Sequence, residues 1–204
     1  MAVFNSTDSG LPDGVPLNDS YGSLTQTAGA EITRVIPPNP DGRGCVGNFR
    51  YEAAATAHTL TMMTTIMTVK CASDAASGQA VLALDQMPVT PDATIVAAGD
   101  WFVVQHEDGT WNAYKVSSVS GLNITMTGNF SGKVKAGSSV HFMGAPADHS
   151  LRQFTMKAST TTEFDAGDFR IRAATGSAKN TPVLVHSNNA TNAGTLYWLS
   201  YYFD

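Results

Sequence analysis

Charge is what this sequence has least of: Asp, Glu, Lys and Arg make up 14% of its 204 residues, against roughly 25% in an average soluble protein. Its 12 basic residues are outnumbered by 17 acidic ones, the net charge is -5 and the isoelectric point is near 5.4. Basic residues gather no more closely than in pairs such as Lys133 with Lys135. Phosphate backbones are held by clustered Lys and Arg, so nucleic acid is not an expected partner. Cysteine is nearly absent. Cys45 and Cys71 have neither a Cys-x-x-Cys partner nor a His at zinc-ligand spacing, and they read as free thiols packed as small hydrophobes, with a disulfide between them left open. Long apolar runs are missing as well, since none approaches the roughly 18 residues of a membrane span. The opening Met-Ala-Val-Phe-Asn-Ser-Thr-Asp lacks a basic segment followed by an apolar one. The expectation is a protein with no membrane partner, made and kept in the cytoplasm or carried out of it inside something larger.

What fills the space is Thr, Ala, Ser and Gly in short β-like runs, with 43% hydrophobic residues overall, enough for a real core. Residues 1–48 hold five of the nine prolines, Pro12, Pro16, Pro37, Pro38 and Pro40. No helical or strand period persists there beyond a few residues. This stretch is expected to be an extended N-terminal arm laid against a partner through spaced apolar anchors: Phe4, Leu11, Val15, Leu17, Tyr21, Ile32, Val35 and Ile36.

From residue 49 the text changes. His58 to Lys70 alternates as a half-buried strand rich in β-branched residues. Met62, Met63 and Met67 read as core filler rather than metal ligands, and residues 72–78 as a linker. Residues 79–144 form the clearest module. Trp101 to Gln105 is a strand, Glu107-Asp108-Gly109-Thr110 turns it into a hairpin with 111–116, and further turns separate 123–127 from 139–143, the even spacing of a small barrel. Its expected core contains Val103, Tyr114, Val116, Ile124, Met126, Val134, Val140 and Phe142. After Gly144-Ala145-Pro146 the Thr-rich style returns, with strands expected at 151–158, 169–173, 183–186 and 195–203. The expected fold class is all-β: an antiparallel jelly-roll-like sandwich body (49–78 and 145–204), an inserted small β-barrel (79–144) and the extended N-terminal arm (1–48), with almost no helix.

No pattern in the chain spells out catalysis. Asp148-His149-Ser150 has the letters of a hydrolase triad, but neighbours on an extended chain point to opposite faces. The loop Gly128-Asn129-Phe130-Ser131-Gly132-Lys133 is one residue short of a phosphate loop, and Val134 stands where Ser or Thr is needed. Acidic turns at Asp41-Gly42, Glu107-Asp108 and Asp165 to Asp168 lack the alternating ligands and distant Glu of a calcium loop. His58, His106, His141, His149 and His186 are dispersed, with no pair at metal-ligand spacing. Triplets such as Asn123-Ile124-Thr125 and Asn189-Ala190-Thr191 read as β-turn chemistry. No enzymatic activity, cofactor or metal is expected.

Aromatic residues are unevenly placed. Trp101 and Trp111 flank the hairpin, while Tyr197, Trp198, Tyr201, Tyr202 and Phe203 crowd the last eight positions. Either 195–203 is a central strand buried on both faces, or one aromatic face, with Trp198 and Tyr202, is an intersubunit contact. Two stretches, Gly99-Asp-Trp-Phe-Val-Val-Gln-His-Glu-Asp-Gly-Thr-Trp running on through Val116 to Leu122, and Pro182-Val-Leu-Val-His-Ser-Asn-Asn to the C-terminus, resemble in style and order the auxiliary capsid proteins of tailed bacteriophages, called decoration or cement proteins. The resemblance covers residues 58–204 and extends to phage tail and baseplate β-domains.

That resemblance implies a virion structural protein, resident on the capsid surface and in the host cytoplasm during assembly. It implies a homo-oligomer, a trimer being one such state, that binds the major capsid protein and clamps neighbouring subunits. The arm and the aromatics Trp101, Trp111, Trp198 and Tyr202 would supply the contacts. An alternative from another class is a tail or fibre component, or a receptor- or glycan-binding β-module of a phage particle, with Trp101 or Trp111 as the stacking platform.

Overall fold

The computed structural model describes residues 21–27, 31–38, 44–53, 58–89, 93, 95–144, 152–156, 161–164, 170–171, 181–187 and 194–203. They form fourteen strands: β1 (Tyr21–Gln26), β2 (Ile32–Ile36), β3 (Gly44–Ala53), β4 (His58–Lys70), β5 (Val81–Ala83), β6 (Trp101–Gln105), β7 (Trp111–Ser120), β8 (Asn123–Met126), β9 (Ser139–Met143), β10 (Arg152–Met156), β11 (Thr161–Phe164), β12 (Arg170–Ile171), β13 (Val183–Ser187) and β14 (Gly194–Phe203). Every pairing between these strands is antiparallel. No helix occurs among the described residues. The chain is all-β, consistent with the jelly-roll-like class expected.

Two sheets carry these strands. A five-stranded sheet has the order β1-β14-β3-β11, with β12 also on β3, and a nine-stranded sheet has the order β2-β13-β4-β9-β6-β7-β8-β5, with β10 also on β4. The 13-residue β4 links the two parts of the larger sheet. Its first half pairs with β10 and β13, and its second half with β9 from Thr65↔Met143 to Lys70↔Ser139. The register shifts between Thr65 and Met67, leaving Ile66 as the extra residue. Such a bulge bends a strand and raises its twist, which lets one strand serve both parts. Gly144 lies beside this bend, its N–H donating to Thr64 O at 2.9 Å. A Cβ there would stand 2.6 Å from Ile66 Cγ2.

Beyond the bend the sheet curls back on itself. The ends of β5 and β4 meet through Ala72 N–H to Ala83 O at 2.8 Å and Asp85 N–H to Lys70 O at 2.9 Å. The enclosed interior contains the apolar cluster Val69, Cys71, Ala75, Leu82, Leu84, Val96, Phe102, Val104, Val116, Ile124, Met126, Phe130, Val134, Val140 and Phe142. Cys71 is a free thiol, and burial pushes its pKa up. The hairpin expected at Asp108-Gly109 is present. Gly109 takes the left-handed φ of 88° that this turn demands, and Asp108 Oδ1 accepts from Thr110 N–H at 2.9 Å.

Several expectations change. From residue 21 the supposed arm is strand: β1 pairs with β14, β2 pairs with β13, and β3 lies on the other side of β14. Ile32, Val35 and Ile36 are buried within the chain itself. Pro37 and Pro38 follow β2 rather than interrupt it, and strands this short are set by pairing more than by their own period. Residues 72–78 are not a bare linker, since Ala75 is buried and bridges Val134. Val103 is not in the barrel interior. Phe102 and Val104 take that place, and Val103 points the other way.

Candidate functional site

Side chains alternate along a strand, so the residues of the β6–β7 hairpin that turn away from the barrel interior include Trp101, Val103, Gln105, Trp111, Ala113 and Lys115. Val103 packs with Val35 of β2, Met63 of β4, Met143 of β9 and Leu184 of β13, and Trp101, Trp111 and Ala113 lie against this cluster. The barrel is thereby seated on the β2–β13–β4 part of the same sheet. Val103 and Leu184 at the centre of this seam are both 0% exposed.

A histidine stands at each end of the seam. His186 is buried, with its ring centroid 5.1 Å from that of Trp101. Its Nε2 has no hydrogen-bond partner and lies 3.8 Å from Glu31 Oε1, the same oxygen to which Lys115 Nζ donates at 2.8 Å. Lys115 Nζ also stands 5.7 Å from the Trp101 ring centroid. Burial holds the His186 pKa below its ordinary value; Glu31 opposes that shift and Lys115 adds to it. His141, across from Val103 on β9, is buried at the other end. Its Nδ1 is 3.0 Å from Thr68 Oγ1 and its ring centroid 5.8 Å from that of Trp111. Burial, with help from Lys70, brings its pKa from 6.5 to about 4. Both imidazoles are therefore neutral at pH 7.

A second polar group lies beside the Asp108-Gly109 turn. His106 is buried, and its pKa is lowered chiefly by burial. Asn112 Nδ2 donates to its Nδ1 at 3.2 Å, which places the ring proton on Nε2, and Nε2 then donates to Tyr114 Oη at 2.8 Å. Tyr114 Oη also accepts from Ser131 N–H at 3.1 Å, so its own proton goes to Ser131 Oγ at 3.1 Å. Along this chain protons are donated toward the serine, the reverse of what a general base must do. The network secures the loop at 128–132 to the hairpin, and Gly132 is part of it: a Cβ there would lie 2.5 Å from His106 Nδ1. Around it, Lys133 bridges Asp74 at 2.8 Å and Glu107 at 3.6 Å, and Lys135 meets Glu107 at 2.8 Å, all on the surface.

Of the residues singled out from sequence, Trp101 and Trp111 are half-buried, and Trp101 has His186 and Lys115 at its ring. Ile32, Val35 and Ile36 are internal. Tyr21 is at the start of β1 opposite Leu199. Trp198 pairs with Gly22 and Phe49, and Tyr202 with Cys45, so β14 is a central strand in backbone terms. Phe4, Leu11, Val15 and Leu17 lie outside the described residues, as do Asp148-His149-Ser150, Asp41-Gly42 and Asp165 to Asp168. The group of Glu31, Lys115 and His186 and, at the other end of the seam, the seating of His141 are apparent only in the structure. The available signal was a histidine inside an apolar strand, Val140-His141-Phe142 and Val185-His186. Among the described residues no group of three or more His, Cys, Asp or Glu is placed to hold a metal ion.

No family model matches the sequence, and no curated protein matches it. Among solved structures, the chain is similar to the VP16-VP17 complex, a complex of the two major capsid proteins of bacteriophage P23-77, at 10% identity and a TM-score of 0.22, with 90% of this chain and 98% of that chain covered. It is also similar to VP17, a capsid protein of the same phage, at 11% identity and a TM-score of 0.17, covering 90% and 93%. The infectious bursal disease virus VP2 subviral particle gives 14% identity and a TM-score of 0.13, covering 89% of this chain and 41% of that chain. At such scores the likeness carries no argument about activity.

Proposed function

We propose that this chain is a structural protein of a virus particle, an auxiliary protein that binds a capsid surface and stabilises contacts between major capsid subunits without turnover. The observation that supports this reading best is the seating of the barrel on the sheet. β4 runs through both, and the Val35, Met63, Val103, Met143 and Leu184 cluster packs one against the other. A protrusion held by a shared strand and a dry contact transmits load without hinging while the seam is closed, as a clamp between subunits requires. Its mechanism is mass action: each bound copy favours the assembled particle by its own binding free energy. The capsid-protein style of the stretches at 99–122 and 182–204 agrees with this reading. Residues 1–20, which precede β1 and carry Phe4, Leu11, Val15 and Leu17, are proposed as the segment that reaches a neighbouring subunit.

Deletion of residues 1–20 tests the proposal without removing β1 or β2. The truncated chain is expected to keep its β-rich circular dichroism and lose binding to purified capsids. Undiminished binding would remove the arm from the account. Quantitative mass spectrometry of particles supplies the other check. Copy number near that of the major capsid protein is expected, a handful of copies would indicate a tail or fibre part, and absence would contradict the proposal.

A further inference from the structure

The two ends of the barrel–sheet seam are wired differently. At the His186 end a carboxylate is already in place: Glu31 Oε1 is 3.8 Å from the unpartnered, buried Nε2. A proton arriving on His186 meets that counter-charge, with Lys115 of β7 opposing and sharing the same oxygen. At the other end His141 is surrounded by Thr68 and Lys70 of β4, Val103 of β6 and Trp111 of β7. The charge acting on it is the Lys70 ammonium, which donates to Ser139 Oγ at 2.7 Å, while the Asp85 carboxylate beside this strand is engaged by the Lys70 main-chain N–H at 2.9 Å. Protonation there creates a buried cation next to another cation, which an apolar seam accommodates only by opening to water. The Thr68 hydroxyl can donate to neutral Nδ1 or accept from the protonated ring, so that bond does not decide the matter. The Trp111 ring offers a partial substitute for lost hydration.

We propose that the seam is an acid-operated latch: protonation of His141 releases the Trp111 edge of the β6–β7 hairpin from the β2–β13–β4 sheet, while Glu31 holds His186 and the Trp101 edge in place. The barrel interior, whose flanking imidazole, His106, is tied to Asn112 and Tyr114, stays folded while the latch opens. The barrel then tilts about its Trp101 side rather than detaching.

The three tryptophans make the asymmetry measurable. In the full chain carrying Trp101→Phe and Trp198→Phe, Trp111 emission is expected to shift to the red as the pH falls from 6.5 to 4, with far-UV circular dichroism unchanged. With Trp111→Phe and Trp198→Phe instead, Trp101 emission is expected to hold its position over the same range. Adding His141→Asn, which keeps a group to bond Thr68, should abolish the Trp111 shift. A Trp111 shift that survives His141→Asn overturns the proposal, as does movement of both indoles together with the circular dichroism. Should His141→Asn fail to fold, ring-selective NMR of the unaltered chain decides. A His141 midpoint well below that of a free imidazole, shared with the Trp111 indole N–H signal, supports the latch, and ordinary titration near pH 6.5 contradicts it.

Discussion

The barrel interior and the seam on its outer face share β4, β6, β7 and β9, yet are built on opposite principles. Inside, Phe102, Phe130, Phe142, Leu82, Leu84 and Ile124 are fully buried, with the Cys71 thiol among them and His106 and Tyr114 against Phe130. Outside, a smaller apolar cluster is bracketed by two buried histidines, two half-buried tryptophans and the Glu31–Lys115 pair. The first is stabilised mainly by apolar area, with His106 at its edge beside Phe130. The second depends on imidazoles staying neutral, so its strength follows the proton concentration.

The contrast can be broken most sharply from the inside. Phe102→Ala leaves a cavity between Tyr114 and Phe142, whose ring centroids stand 5.7 and 5.8 Å from that of Phe102, and is expected to cost about 4 kcal/mol in chemical denaturation at any pH. Acid comes next. The folded pKa of His141 is lowered, so the unfolded chain takes up the proton first; its contribution is full above pH 6.5 and is lost as the pH falls from 6.5 to about 4. That difference corresponds to about 3 kcal/mol, readable as a falling denaturation midpoint across the window, and His141→Asn should flatten the slope. The bend between the regions is the third point of attack. Gly144→Ala places a methyl 2.6 Å from Ile66 Cγ2, on a stiff β-branched side chain, and should lower stability by about 2 kcal/mol.

Smaller effects sharpen the comparison. Tyr114→Phe removes the hydroxyl that accepts from His106 Nε2 and from Ser131 N–H and is expected to cost about 1 kcal/mol, with extra proteolytic nicking at residues 128–132. Glu31→Gln, at a half-exposed pair, should cost only about 0.5 kcal/mol at neutral pH. Its diagnostic effect is to remove the counter-charge from His186, so that the Trp101 edge also responds to acid.

Strands with their own alternation were legible in the sequence. His58–Lys70, Trp101–Gln105 and 139–143 are found where expected, because each alternates or is bounded by turn residues such as Asp108-Gly109 and Gly137. The barrel core was legible only in part. Phe102-Val103-Val104 is apolar on both faces, so its period could not say which residue points inward; Val103, expected inside, is the centre of the seam. Residues 21–48 carry no strand signal of their own because β1 and β3 contain Gly22, Gly44 and Gly47 and Pro37 directly follows β2, and their strand state comes from partners more than a hundred positions away in β13 and β14. The same distance hid the seam. Glu31, Lys115 and His186 share no local pattern, and only the pairing of β2 with β13 and the packing of both on β7 bring them together.

Native-state hydrogen exchange tests the central claim, that the barrel core and its seating are separately stabilised parts of one sheet. Amides of β2 and β13 are expected to exchange through a smaller opening than those of β6 and β8 at neutral pH, and the gap should widen at about pH 5, as His141 begins to take up protons. Equal protection in both sets at both pH values would contradict the account.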